Sequence, residues 1–253
     1  MSTVQIGWSL AALLVGLTAA AALVVRWGGL LDARSVVVAG LRALLQLLAV
    51  SAVIAVVLRS LWLTTAFLLV MVAVAAATSG HRITGSLRPP AWITALPILA
   101  GVAPVLAAIL VTGVLPAEPV AVLPAAGILI GGAMTATSLS GRRLTEELTA
   151  RRGAYEAALS IGLTRRDAVT VVARPAAGLA LLPGLDQTRT VGLVTLPGAF
   201  VGMLLAGASP VQAGAVQLLV LVGLLVVQAL AVVSVVELVS AGRLPVGGAP
   251  LPP

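Results

Sequence analysis

The stretch that decides the fold is VQAGAVQLLVLVGLLVVQALAVVSVVELV, residues 211–239, in which Glu237 is the only charged residue. A bilayer core of about 30 Å needs about 20 mostly apolar residues in one helix. Residues 211–239 are long enough to cross it, and they lack the polar face that a surface helix of a soluble protein presents to water. The sequence therefore predicts an all-α integral membrane protein.

Six further apolar runs precede this one, at residues 4–25, 36–58, 61–79, 91–114, 120–139 and 190–208. Of the 253 residues, 60% are hydrophobic and 9% are charged, whereas a soluble domain has about 25% charged residues. The mean hydropathy of +1.17 agrees. No basic residue precedes the first run, so we expect a retained helix rather than a cleaved signal peptide. The predicted fold is a polytopic bundle of about seven transmembrane helices.

The arginines predict the orientation of the chain. All 15 basic residues are Arg, and twelve of them lie in residues 26–35, 80–90 and 141–174 or at Arg243. Cytoplasmic loops are enriched in basic residues. This predicts an N-terminus outside, a cytoplasmic C-terminus and a location in a bacterial cell membrane. Because the charges lie in blocks between apolar runs, the bilayer rather than nucleic acid is the expected partner.

We expect a single transmembrane domain at residues 1–240, with its largest cytoplasmic segment at residues 141–175. The tail at residues 241–253 is rich in Pro and Gly and is expected to be cytoplasmic and disordered.

The composition also argues against an enzyme. The chain has no Cys, and its one histidine is His81, which excludes thiolate chemistry and His-cluster metal sites. It contains no HExxH motif and no clustered Asp motif. Without Lys it cannot form the GxxxxGK[ST] phosphate-binding loop, so it is expected to hold no cofactor of its own. A transport protein is the class that remains, with a carrier or channel that works alone as one alternative.

One charged segment has the residue pattern of a docking element. The triplet Glu156-Ala157-Ala158 is followed by Gly162 and then by Pro175 at the spacing of the EAA motif. This resembles the cytoplasmic coupling loop of ABC transporter permeases, although Arg174 stands where that motif usually has Leu. A short helix with small residues can enter a groove of an ATPase subunit, and Gly allows a sharp turn after it. An ordinary solvated loop is the alternative.

Three longer segments carry a second resemblance. They read GLRALLQL at residues 40–47, LPAAGILIGGAM at residues 123–134 and LPGLDQTRTVGLVTLPG at residues 182–198. These resemble signatures of the FetB-type permeases, an iron-export ABC permease family that includes plant aluminium-tolerance permeases. The resemblance implies a permease that exports iron or a related metal ion, acts as a homodimer and is driven by a separate ATPase subunit that binds ATP–Mg.

Polar residues in the apolar runs are candidates for the translocation path, because charges inside a membrane face protein or water. Arg42 and Gln46 share one helical face, and Arg42 could instead extend to the interface. Asp186 and Arg189 could contact substrate or form a structural ion pair. Asp186 is the one hard cation ligand of this region, but the sequence specifies no metal site.

Two further groups of residues concern the path and its movement. Met134 could contact a passing metal ion, or it could simply pack between helices. Thr195, Pro197 and Gly198 could interrupt a helix within the membrane and act as a hinge. The GxxxG pairs Gly127–Gly131 and Gly198–Gly202 would permit close helix contact.

Overall fold

The computed structural model describes residues 7–85 and 91–244, and this part of the chain is built from helices without a strand. The elements are α1 (Trp8–Trp27), α2 (Ala33–Val57), α3 (Leu61–Thr84), α4 (Ala91–Val111), α5 (Pro119–Ala150), α6 (Arg152–Ser160), α7 (Arg165–Val172), α8 (Arg174–Gly178), a 3-10 turn (Leu179–Leu181), α9 (Leu182–Thr190), α10 (Gly198–Leu205) and α11 (Pro210–Ser240). Arg88 and the Pro89-Pro90 pair lie outside the described residues.

Six of the described helices, α1 to α5 and α11, are long and apolar enough to cross a membrane. A seventh candidate is bent: α7 and the segment Arg174–Thr190 meet at 57°. The prediction of an all-α bundle with about seven spans is therefore confirmed.

The position predicted for the sixth span is wrong. Residues 190–208 do not form one helix, because α9 ends at Thr190 and α10 has only eight residues. Between them Gly192 has a φ of +81°, and Pro197 cannot donate a backbone hydrogen bond. The bent candidate comes earlier in the chain. Its charged residues and its Pro and Gly residues concealed it in the hydropathy pattern.

The chain divides into two compact units at Arg59 and Ser60. In the first, α1 and α2 form a helical hairpin. Asp32 caps α2 by accepting a hydrogen bond from the Arg34 backbone N–H at 3.0 Å. Of the described side chains on these two helices, only Val57 is buried. Their apolar faces therefore need lipid or protein to cover them.

In the second unit, α3, α4, α5 and α11 form a bundle around Ile98, Leu129 and Val227. Glycines allow these helices to approach closely. A Cβ placed at Gly101 of α4 would lie 2.6 Å from the Val227 carbonyl oxygen of α11, and one at Gly141 of α5 would lie 2.5 Å from Ile83 Cδ1 of α3. Small residues at helix crossings are typical of membrane bundles.

The predicted GxxxG pairs do not make these contacts within the chain. A Cβ at Gly131, Gly198 or Gly202 would meet no described atom within 4 Å, and one at Gly127 would meet only the end of Met71 at 3.5 Å. Their role in contacts with a second copy stays a prediction.

Helices α6 to α8 and the ends of α5 and α11 form what we call the arginine-rich end. Helix α5 continues ten residues beyond Ser140, to Ala150, and the chain turns at Arg151 into α6. Tyr155, Leu144 and Val239 belong to the buried cluster at this end. The segment 141–175 is thus a packed helical structure rather than an open loop. Leu244, early in the predicted tail, is fully buried, and residues 245–253 lie outside the described residues.

Candidate functional site

Helix α6 presents the residues of the EAA-like triplet on its outer surface. Tyr155 is fully buried and fixes the helix to the core of the arginine-rich end. The next residues, Glu156 and Ala157, are exposed, and Ala158 is half-buried. The Glu156 carboxylate accepts a hydrogen bond from Arg152 Nε at 2.8 Å. Because Tyr155 anchors the helix from below, its exposed face is held in a defined position.

The turn after α6 requires a glycine. Gly162 has a φ of +90°, which L side chains rarely adopt, and its N–H donates to the Leu159 carbonyl at 3.0 Å. Thr164 then caps α7 by accepting a hydrogen bond from the Asp167 backbone N–H at 3.2 Å. At the tip of the turn the Ile161 side chain is 80% exposed. An exposed Ile beside small residues is suited to insertion into an apolar groove of a partner protein.

Pro175 lies in the first turn of α8, where its missing N–H removes no helical hydrogen bond. Both Pro175 and the preceding Arg174 are exposed. The structure therefore brings the residues of the predicted docking element onto one continuous set of short helices, α6 to α8.

Asp186 and Arg189 form an ion pair on α9, with 3.4 Å between Asp186 Oδ1 and Arg189 Nη1. The two side chains are 67% and 68% exposed, so the described part of the chain leaves them largely uncovered. Asp186 and Arg189 are therefore paired with each other, and their contact with substrate stays a prediction.

The position of this pair along the length of α11 follows from its sequence neighbours that contact α11. Just before it, Gly184 lies against the side chain of Gln228. Just after it, Val191 and Gly192 share a cavity with Gln217. The pair therefore lies beside the part of α11 between residues 217 and 228, which is the middle of this 31-residue helix. At 1.5 Å per residue, the two ends of α11 lie about 19 and about 26 Å from the centre of this part.

The helix is interrupted beyond the ion pair. The Thr190 carbonyl accepts a hydrogen bond from the Val194 N–H at 3.0 Å, and the Gly192 N–H donates to the Thr195 carbonyl at 2.8 Å. Thr195 itself is exposed, and Pro197 and Gly198 lead into α10. The predicted interruption within residues 190–198 is therefore present, and its function as a hinge stays a prediction.

A cavity of about 190 Å³ lies between this interruption and α11. Its lining is apolar except for Gln217, whose Oε1 is buried without a hydrogen-bond partner in the described part of the chain. Gln228 likewise has a buried, unpaired Oε1. The two amides are three helical turns apart and share one face of α11. Sequence reasoning missed this polar face, although the two Gln residues in an apolar run are the signal for it.

The other residues predicted for the path belong to other helices. Arg42 and Gln46 are exposed on α2 of the first unit, and their place in the path stays a prediction. Met134 is half-buried on α5 and packs against the bundle core, with its carbonyl accepting from Ser79 Oγ at 3.3 Å. Asp186, Arg189 and Thr195 are thus the predicted path residues that the structure places together. The described residues contain no group of three or more His, Cys, Asp or Glu that could hold a metal ion.

These features define the class: a polytopic α-helical membrane protein with an interrupted helix and an ion pair beside the middle of an apolar span. Residues 8–242 match the model of the uncharacterised protein family UPF0014, and the chain belongs to this family. The resemblance to FetB-type permeases is thereby confirmed.

The relatives of the chain are membrane proteins from bacteria and plants. It is 30% identical to UPF0014 membrane protein slr1647 of Synechocystis over 92% of each chain. It is 38% identical to UPF0014 membrane protein STAR2 of rice over 63% of this chain and 55% of that protein. It is 34% identical to the probable iron export permease protein FetB of Escherichia coli over 49% of this chain and 48% of that protein. The match thus spans little more than half of the plant relative's length. No solved structure shows significant similarity to the chain.

Proposed function

We propose that the chain is the membrane-spanning permease subunit of an ABC transporter that exports iron or a related metal ion. The observation that carries the proposal is the outer surface of α6 to α8. Glu156 and Ala157 are exposed there and Tyr155 holds the helix in place. A partner ATPase that binds ATP–Mg would dock on this surface and move it, and the permease would do no chemistry of its own.

The arginine-rich end is the cytoplasmic side in this proposal. Seven arginines lie between residues 141 and 174, at positions 142, 143, 151, 152, 165, 166 and 174. An excess of Arg on the cytoplasmic side of a membrane protein supports this orientation. A carrier or channel that works alone would have no use for a fixed helical surface that ends in an exposed Ile161.

We place the translocation path along the Asp186–Arg189 pair. Either charge, facing lipid at the centre of a bilayer, would cost about 2.5–3.5 kcal/mol on insertion scales. The pair is two-thirds exposed beside the middle of α11, so a second protein surface or water must cover it. A homodimer that encloses a polar pathway provides both. Interrupted helices near the membrane centre are where many transporters bind their substrates.

A metal ion is the proposed substrate for two reasons. Asp186 offers a carboxylate, the oxygen ligand that hard cations prefer. The Escherichia coli relative is named a probable iron export permease protein. One carboxylate per chain is a weak site, which suits an ion that must bind and then leave.

Co-purification with a cytoplasmic ABC ATPase and ATP-dependent metal export in vesicles test this function. The Glu156→Gln/Gly162→Ala variant removes the exposed carboxylate and strains the turn, and we expect it to lose ATPase binding. The matched control is Glu118→Gln/Gly113→Ala at the opposite end, where Gly113 also has a positive φ of +65° and Glu118 makes no side-chain cap. If both variants bind the ATPase as the wild type does, the docking assignment is wrong.

The metal is identified separately, from the metal content of a deletion strain measured across a panel of ions. Accumulation of iron that this chain reverses, and that the Glu156→Gln/Gly162→Ala variant does not, is the expected result. An unchanged content of every metal tested would contradict metal export.

A further inference from the structure

One ion pair stands apart from the others in the described residues. Five of the six join residues three or four positions apart in the sequence. The sixth connects two elements that are distant in the sequence: Arg166 Nη2 of α7 lies 2.8 Å from Glu237 Oε2 near the end of α11. The two side chains are 68% and 46% exposed, and their contact links α7 to the end of α11.

The surroundings of this pair are apolar contacts between α7 and the end of α11. Ala168 and Val169 of α7 are fully buried in the same cluster as Val235 and Val239 of α11. The apolar contact holds the helices together without a preferred direction, and the ion pair adds one directional contact between them.

The neighbouring arginine contacts the same end of α11. Gly242, just past the helix, has a φ of +69°, and a Cβ there would lie 3.2 Å from Arg165 Cζ. The Arg165 guanidinium thus lies over the turn where the last α11 carbonyls accept hydrogen bonds from Ala241, Gly242 and Arg243. A cation is favoured at this negative end of the helix dipole.

The opposite part of α11 reaches the interrupted segment. Gln217, Leu218 and Leu221 line the cavity beside Val191 and Pro197. One straight element therefore connects the proposed docking surface with the proposed path, since α11 runs without a break from Pro210 to Ser240.

We propose that α11 carries the movement of α6 and α7 into the membrane and that the Arg166–Glu237 pair is the tie that couples them. This inference rests on the proposed function. The two residues are positioning residues: they touch neither substrate nor ATP. Without the tie, α7 would slide on α11 when the ATPase moves it, and ATP would be hydrolysed without opening the path.

The test measures metal transported per ATP hydrolysed in vesicles that contain the complex. Arg166→Glu and Glu237→Arg should each retain ATPase binding and thermal stability but lose about fivefold in this ratio, the upper end of what an exposed ion pair contributes. The double variant Arg166→Glu/Glu237→Arg restores the opposite charges and should recover most of the wild-type ratio. Arg243→Glu is the control, because Arg243 makes no ion pair in the described part of the chain.

A covalent replacement of the tie gives a second measurement. The chain has no Cys, so Arg166→Cys/Glu237→Cys can be joined with a short bifunctional thiol reagent, before the ATPase is added, without labelling other positions of this chain. The unlinked variant should be uncoupled, and linking should restore the ratio.

The outcomes separate the two proposals. Wild-type complex without ATP-dependent transport would refute the proposed function. Wild-type transport together with unaffected single variants, a swap that recovers nothing, or a cross-link that blocks transport would refute the tie alone.

Discussion

Gly101→Ala is the sharpest test of the bundle geometry. The new Cβ would lie 2.6 Å from the Val227 carbonyl oxygen and 3.2 Å from the Val227 carbonyl carbon, whereas ordinary contact begins at 3.4 Å. Because both atoms belong to the backbone of α11, no side-chain rotation relieves the contact. Helices α4 and α11 must move apart by roughly 0.8 Å, a gap that forfeits a quarter to a half of the dispersion energy across the contact.

The expected loss follows from two opposing contributions. Overpacking of a tight interior costs about 1–3 kcal/mol. Replacing Gly by Ala inside a helix recovers about 1 kcal/mol. The net destabilisation is then about 0–2 kcal/mol, with the upper end expected for a collision with backbone atoms, or up to several degrees in the unfolding midpoint of a domain of this size.

The assay is the temperature at which the detergent-solubilised protein leaves the monodisperse peak in size-exclusion chromatography after heating. Gly131→Ala is the matched control, since a Cβ at this position in α5 meets no described atom within 4 Å, and it should melt at the wild-type temperature or slightly above. Gly132→Ala meets the Leu224 side chain instead and should lose less than Gly101→Ala, because a side chain can rotate.

The reasoning fails if Gly101→Ala melts at or above Gly131→Ala. That result would mean that α4 and α11 do not cross at Gly101 and Val227. Truncation of the Val227 side chain should not rescue Gly101→Ala, because the closest atom is the carbonyl oxygen. Rescue by Val227→Ala would therefore also contradict this geometry.

Two further predictions concern the docking surface and the path. Tyr155 is fully buried, but its hydroxyl has no partner in the described residues, so Tyr155→Phe should leave the melting temperature and ATPase binding nearly unchanged. Tyr155→Ala should cost about 3–5 kcal/mol of stability and detach α6 from the core. Equal effects of the two variants would exclude the anchoring role. Asp186→Asn leaves the Arg189 charge unpaired beside the middle of α11 and should abolish metal transport while ATPase binding persists; transport at the wild-type rate would remove Asp186 from the path.

Much of the fold could be predicted because hydrophobicity is a local property. Runs such as residues 211–239 have to be helices in a membrane, since every backbone polar group must be satisfied within the segment. The bent candidate, α7 together with Arg174–Thr190, escaped this logic. Its charges are tolerable only where other protein or water covers them, and hydropathy counts each residue as if it faced lipid.

The candidate site was only partly visible in the sequence. The triplet at Glu156 is recognisable as a sequence motif, and the turn at Gly162 is recognisable from the glycine itself. The buried Gln217 and Gln228 were missed because an amide in an apolar run has no partner that can be read from its neighbours. The Arg166–Glu237 pair was missed for the same reason: its partners are separated by several helices along the chain.

The amino-acid sequence alone was sufficient for the membrane class, the approximate number of spans and the family resemblance, because these depend on composition and on short segments. The tertiary structure decided which glycines bring helices together, which segment is interrupted and which side of α6 is exposed. Gly131 and Gly132 illustrate the difference: they are adjacent and chemically identical, yet only a Cβ at Gly132 would collide with α11. The direction in which each residue faces, and what lies there, is set by contacts between helices that no local pattern encodes.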